Sequence, residues 1–300
     1  MKKLKNPMLQ FSLNKNRIKT PLSDKIYLTV IWLFLAILLV IIIFPMLNMF
    51  ALGFSNGVYN SKVILLPKGL NFSSFSYILR ENEFKVAFIN SVIITISITV
   101  LSTLFMALLA YPMSIEDFPF KKVLMIIFII PMLFSAGIVP SYLLVKALGI
   151  LNTLTPLIVL SIFNTFNMLL MKTYFENLPT SVIEAAKIDG SGELQLLFSI
   201  IIPMSVPVIA TTAFFTIFGA WNNYGGAMIF CQTNANAQPL AYYIYNMLGA
   251  SNVGITDQFK IINKLNIQSA AIIISMIPVL IVYPFVMRNL KEGLVIGSDK

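Results

Sequence analysis

The sequence predicts an all-α integral membrane protein with six transmembrane helices, and three observations carry that expectation. The chain has 300 residues, of which 58% are hydrophobic and 11% charged, whereas a soluble globular domain carries about 25% charged residues. Apolar runs long enough to cross a hydrocarbon core, which takes about 20 helical residues, recur along it between short polar segments. Lys and Arg are spread unevenly, with twice as many in the segments assigned to the inner side as in those assigned to the outer side. The net charge of +9 is therefore read as a topology signal. No folded basic patch with interleaved aromatics supports nucleic-acid binding. With no His and a single Cys, Cys231, the sequence offers no metal cluster, no disulfide and no His-based catalysis. Cys231 reads as an inert apolar filler.

Taken in order, residues 1–25 form a basic N-terminus with seven Lys or Arg against one acid, Asp24. Such a charge places it in the cytoplasm. The apolar run 26–54 far exceeds the stretch of about 7–15 residues found in a signal peptide, so it is read as a retained first helix. An outer loop to about residue 85 contains Pro67, Gly69 and Asn71. Helix 2 spans 87–111, and its many Ser and Thr side chains are read chiefly as close-packing groups. A turn over 112–122 leads to helix 3, 123–145, interrupted by Pro131, Gly137 and Pro140. Helix 4 covers 153–171. Its Asn164 and Asn167 lie near mid-span, where amides must either bond a neighbouring helix or face a wet cavity.

Helix 5 runs over 200–230 and contains Trp221, Asn222, Asn223 and Tyr224 between glycines. Aromatic faces can stack on sugar rings and amides can bond hydroxyls, which makes this stretch a candidate substrate contact. The competing reading is an aromatic anchor at the outer membrane surface. The outer loop 232–266, rich in Tyr, is read as a docking surface. Helix 6 covers 267–287. Six spans leave both termini in the cytoplasm. The domain plan is thus a basic N-terminus (1–25), a transmembrane domain (26–290) with an inner loop at 172–203, and a C-terminal tail (291–300).

The inner loop organises the rest. It is a polar island with Glu176, Glu184, Asp189 and Glu193 against Lys172 and Lys187. A charge at the middle of a membrane helix costs roughly 2.5–3.5 kcal/mol, so the island belongs outside the hydrocarbon. Ser181 and Glu184 have the spacing of a capping box that would open a helix, and Gly190-Ser191-Gly192 would close it. A second helix is expected to present Leu194, Leu197, Phe198 and Ile201 as one apolar stripe, with Pro203 and Pro207 leading into the next span.

At Glu184-Ala185-Ala186, Gly190 and the Ile-Ile-Pro ending at Pro203, the sequence resembles the cytoplasmic EAA loop of ABC importer permeases, with the family's full spacing. Ile202 stands where that family usually has Leu. Asp189 to Gly192 is similar to the carbohydrate-importer version of the loop. Two weaker likenesses, residues 66–72 and 292–298, agree. The resemblance is to the second permease subunit of a type I ABC carbohydrate importer, similar to permeases of the maltose importer and of oligosaccharides and polysaccharide fragments, including acidic ones.

That resemblance implies the type I importer fold and coupling helices that seat in a cleft of an ATPase subunit. It implies ATPase contact by Glu184, Ala185, Ala186, Asp189, Gly190 and Gly192. It also implies four kinds of partner: a second permease, an ATPase dimer, an extracytoplasmic solute-binding protein and a sugar. The location is the cytoplasmic membrane of a bacterium. No Walker A sequence occurs, so the chain needs no cofactor of its own and is not an enzyme, ATP and Mg being bound by the partner ATPase. The rival class is a stand-alone secondary transporter or channel. Against it stand spans whose interiors lack Asp, Glu, Lys and Arg, and the absence of a convincing internal repeat.

Overall fold

The computed structural model describes residues 22–55, 63–134, 136–249 and 264–296. Most of the basic N-terminus, the 56–62 part of the first outer loop, the 250–263 part of the second with Gly254, and 297–300 of the tail lie outside the described residues. The chain divides into two units, residues 1–48 and 49–300. In the first, α1 (Leu22–Gly53, whose last turns enter the second unit) is apolar all round, and its Trp32, Phe34 and Ile41 are exposed. A helix with no polar face requires an apolar solvent or partner around it.

Among its described residues the second unit has helices joined by turns and irregular segments, with an isolated antiparallel bridge between Ser55 and Leu70. It comprises α2 (Ser73–Arg80), α3 (Asn82–Ser114), α4 (Lys121–Leu133), α5 (Ile138–Ala147), α6 (Thr155–Val159), α7 (Thr165–Glu176), α8 (Thr180–Ile188), α9 (Glu193–Leu196), a π-helical turn (Leu197–Ile201), α10 (Ile202–Met204), α11 (Val206–Trp221), α12 (Tyr224–Phe230), α13 (Leu240–Gly249) and α14 (Lys264–Ile296). α3 is the central element. α7 and α11 pack along it, and α14 packs on α11 and α2. Small and flexible residues of α3, Ala87, Met106, Ala107 and Ala110, are almost fully buried, letting neighbouring backbones approach closely.

Among the described residues three helices are individually long and apolar enough to cross a membrane: α1, α3 and α14. Counting each bent pair as one span, α4 with α5 and α9–α10 with α11, raises the number to five. The expected helix 4 is not one rod. It is split between α6 and α7, and Asn164 caps the second piece, accepting the Asn167 N–H at 3.0 Å. The expected helix 5 is broken twice. It turns through 83° at Ser205 and breaks again at Asn222–Asn223, where Asn223 caps α12 by accepting the Gly226 N–H at 2.9 Å. In each case an Asn side chain satisfies a backbone donor that an unbroken helix would have paired itself.

Helix 3 breaks between Leu133 and Ile138, where Gly137 takes a φ of +85°. The second outer loop is not all loop. Asn90 of α3 donates to the carbonyls of Asn236 and Gln238 at 2.9 and 3.0 Å, and the Ser91 hydroxyl accepts the Leu240 N–H at 2.7 Å. These buried polar groups fasten the start of α13 to the N-terminal part of α3.

Candidate functional site: the inner segment and a polar cleft

The inner segment is built by local rules. α8 starts behind Pro179 with no side-chain cap, and the Val182 N–H bonds the Pro179 carbonyl at 3.3 Å. Because the cap falls at Pro179, two residues before Ser181, Ser181 falls inside the helix and the expected capping box does not form. The C-terminal stop does form. The Ser191 N–H bonds the Ala186 carbonyl at 3.0 Å and the Gly190 N–H bonds the Lys187 carbonyl at 3.1 Å, while Gly190 sits at φ +83°. This is the complete Schellman arrangement, with glycine at the left-handed position.

The second helix keeps half of the expected stripe. Leu197 and Ile201 are buried, together with Leu196, whereas Leu194 is 67% exposed and Phe198 is half-exposed. The π-helical turn over Leu197–Ile201 widens the spacing so that Leu196 and Ile201, five residues apart, share the buried side; Leu194 precedes that turn. The segment is two-faced as a result. Ala186, Leu196, Leu197 and Ile201 join one core with Met106, Ala110 and Tyr111 of α3 and Met168, Met171 and Phe175 of α7. On the opposite side Glu184, Ala185, Asp189, Gly190 and Gly192 are exposed, flanked by Ile188 and Leu194.

Polar ties fix the joints of this segment. The Tyr111 hydroxyl donates to Glu193 Oε2, and Lys187 Nζ lies 3.5 Å from Glu193 Oε1. Glu176, at the end of α7, accepts from Lys172 at 2.7 Å and from Lys121, at the start of α4, at 3.2 Å. Partial burial alone would raise the Glu176 pKa, but the hydrogen bonds and charges of the two lysines outweigh it and hold the carboxyl below its usual range. The Lys172–Glu176 spacing was legible as an i,i+4 pair; the partners from α3 and α4 were not, since no sequence signal joins residues that far apart.

The second feature is a cleft of about 420 Å³ between α3, the α6–α7 break, α7 and α11. Asn164, Asn167, Thr216, Ser102 and Asn223 line it together with apolar residues, and Asn167 Nδ2 donates to Thr216 Oγ1 at 3.2 Å. No charged side chain lines it. Three of the six sequence-predicted pathway residues meet here. The other three do not. Trp221 is buried, donates from Nε1 to the Ser275 carbonyl at 3.0 Å and packs edge-on against Phe88, so it bolts α11 to α14 and α3. Asn222 bonds back to the Phe218 carbonyl at 2.8 Å. Tyr224 is half-exposed and stacks on Tyr245 with ring centres 5.1 Å apart. Cys231 is fully buried, and burial pushes its thiol pKa up to about 11, which keeps it unreactive. Among the described residues no cluster of His, Cys, Asp and Glu could hold a metal ion.

A multi-pass helical chain with broken spans, an uncharged polar cleft and an exposed two-helix segment on one core is a permease architecture. Residues 100–295 match the family model of the binding-protein-dependent transport system inner membrane component, and the chain belongs to that family of ABC-importer permeases. It is 30% identical over 286 residues, 93% of this chain and all of the relative, to the polygalacturonan/rhamnogalacturonan transport system permease protein YtcP of Bacillus subtilis. It is 28% identical, over 92% of this chain and 90% of the relative, to the diacetylchitobiose uptake system permease protein NgcG of Streptomyces coelicolor. A bacterial ABC transporter involved in the import of the acidic polysaccharide alginate contains a chain of the same fold, with a TM-score of 0.81 and 29% identity over 89% of this chain and 97% of that one. The protein is a multi-pass inner-membrane permease of the group whose named members carry oligosaccharides and polysaccharides.

Proposed function

We propose that this chain is one of two permease subunits of an ATP-driven importer of oligosaccharides or polysaccharide fragments, and that residues 172–203 are its cytoplasmic coupling loop. The six spans of this reading are α1, α3, α4 with α5, α6 with α7, α11 with α12, and α14, with both termini in the cytoplasm. The observation that carries it is the two-faced inner segment: Glu184 and Ala185 point outward beside exposed Ile188 and Leu194, while Ala186 and Leu196 are anchored in the core shared with α3 and α7. Such a face offers an ATPase cleft an apolar grip with charge around it. Such an anchor passes any displacement of that grip into the helices that wall the cleft.

In this reading ATP and Mg are bound and hydrolysed by a dimeric ATPase partner, and a second permease completes the pathway. A solute-binding protein delivers the sugar from outside. Asn164, Asn167, Asn223, Thr216 and Ser102 offer hydroxyl-matching donors and acceptors along the path. Trp221, Asn222 and Tyr224 support the wall rather than touch the sugar. The uronate-bearing substrates named for YtcP and for the alginate importer suggest acidic saccharides. The neutral cleft assigns recognition of their charge to the binding protein or the second permease.

The test is purification of the tagged chain from its native membranes in mild detergent, with identification and stoichiometry of what remains bound. Recovery of a second permease and two ATPase copies is expected. Recovery of the chain alone, or as a homo-oligomer that transports without ATP, would restore the secondary-transporter reading.

A further inference from the structure

Glu193 is where three elements meet: its own α9, the α8 helix through Lys187, and the inner end of α3 through the Tyr111 hydroxyl. The remaining attachments between the inner segment and α3 are apolar. Met106, Ala107 and Ala110 face Leu196, Leu197 and Ile201 across one core, and dispersion contacts of that kind are non-directional. A smooth apolar interface resists separation but tolerates sliding. A charge-assisted O–H···O⁻ bond has a preferred length and angle and is stronger than a neutral one.

We propose that the Tyr111 hydroxyl is a positioning group that fixes the register of α3 on the coupling segment through Glu193. This rests on the coupling-loop reading above. The Tyr111 ring is almost fully buried, so the residue has a fixed pivot, while its hydroxyl reaches the polar side of the joint. Lys187 holds the second oxygen of the same carboxylate, so α8 and α9 meet α3 as one piece across the Gly190–Gly192 corner. When an ATPase moves the outer face of the segment, this bond converts the movement into a displacement of α3 along a set direction, and α3 carries Ile98 and Ser102 of the cleft. Without it, the segment slips against α3 and part of each stroke is lost.

The test uses the complete importer, with both permeases, the ATPase dimer and the binding protein, in proteoliposomes supplied with oligogalacturonides. Sugar taken up per ATP hydrolysed is read for wild type, Tyr111→Phe, Glu193→Gln and the double variant. Phe keeps the buried ring and Gln keeps the side-chain shape, so neither opens a cavity. The ratio is expected to fall about threefold or more in each single variant, in line with loss of one charge-assisted bond at a partly solvated site. The double variant is expected to lose less than the two singles combined, because Phe removes the bond while Gln, which can still accept but carries no charge, weakens the same one. A constant ratio, with uptake and hydrolysis falling together, would overturn the proposal and leave Tyr111 a packing residue. Additive losses would do the same. Failure of the wild-type chain to assemble with an ATPase, or to move any saccharide, would refute the coupling-loop reading itself.

Discussion

Replacing Gly190 tests whether the corner of the inner segment must be rigid. Its φ of +83° is in the left-handed region, yet a Cβ built there meets nothing within 4 Å. The cost of Ala is therefore conformational and not steric, about 1 kcal/mol, which is roughly a fivefold loss in the equilibrium for the closed corner. Asn, which tolerates this region, costs less. Pro cannot take positive φ and also removes the N–H that bonds Lys187 at 3.1 Å, costing about 3 kcal/mol or more. At that level the corner no longer closes and α8 separates from α9. The assay is initial sugar uptake and ATP hydrolysis by the complete importer in inverted and right-side-out vesicles, normalised to permease inserted. Uptake is expected to fall in the order Asn, Ala, Pro, with near-complete loss for Pro at normal insertion. A Pro variant that transports at the wild-type rate would refute the rigid-corner reasoning. So would an Ala variant as damaged as Pro, because it would require a steric conflict where the structure has open space.

Other outcomes follow from the same geometry. Trp221→Phe removes the indole hydrogen bond to the Ser275 carbonyl, which keeps its place in the α14 helix, so thermal unfolding of the detergent-solubilised complex should show a loss of about 0.5–1.5 kcal/mol, with sugar preference unchanged. Asn223→Ala loses the α12 cap, worth about 1 kcal/mol, whereas Asn223→Asp keeps the cap but puts a charge in the cleft; uptake should be lower for Asp than for Ala, and equal uptake would argue against a polar path there. Glu176 has a folded-state pKa below its unfolded value, so its contribution is present above the unfolded carboxyl range of about 4.3 and is lost as pH falls through the folded value. Thermal stability of Glu176→Gln should therefore differ from wild type by the same amount at pH 6 and pH 8, and the difference should shrink as the pH is taken below the unfolded carboxyl range.

The long apolar elements were legible because composition alone defines them: α1 and α3 were expected within about five residues of where they lie, while α14, expected over 267–287, continues to Ile296. The glycine stop at Gly190 was legible because only left-handed geometry at that spacing explains the residue. The breaks were not. Between α6 and α7 the chain is equally apolar on both sides, with neither Pro nor Gly at the junction, and Asn164 reads as a mid-span amide unless its capping bond to Asn167 is known. The break at Asn223 is of the same kind. At Ser205 the flanking Pro203 and Pro207 were a signal, but they were read as the entry to one helix rather than as a corner within it.

Of the stripe over 194–201, Leu197 and Ile201 are buried as expected, while Leu196 replaces Leu194 and Phe198 because the π-helical turn departs from the 3.6 residues per turn that helical phase assumes. The first turn of α8 fits a capping-box pattern by sequence, yet the cap falls at Pro179, two residues before Ser181. In the cleft, Asn164 and Asn167 were visible as amides near mid-span and Asn223 as a candidate sugar contact, while Ser102 was read as a packing hydroxyl and Thr216 carried no signal. Trp221 was conspicuous for its chemistry, and only the fold reveals that its ring and N–H are consumed by Phe88 and Ser275.

The central claim, that residues 172–203 present one face to an ATPase and the other to the permease core, is tested most directly by site-specific photocrosslinking in intact membranes. A photoreactive amino acid is placed in turn at Ala185 and Ile188, which are exposed, and at Ala186 and Leu196, which are buried. The account predicts adducts to an ATPase chain from Ala185 and Ile188, and adducts within the permease alone from Ala186 and Leu196. ATPase adducts from the buried pair, or none from the exposed pair in a membrane where the transporter is active, would contradict it.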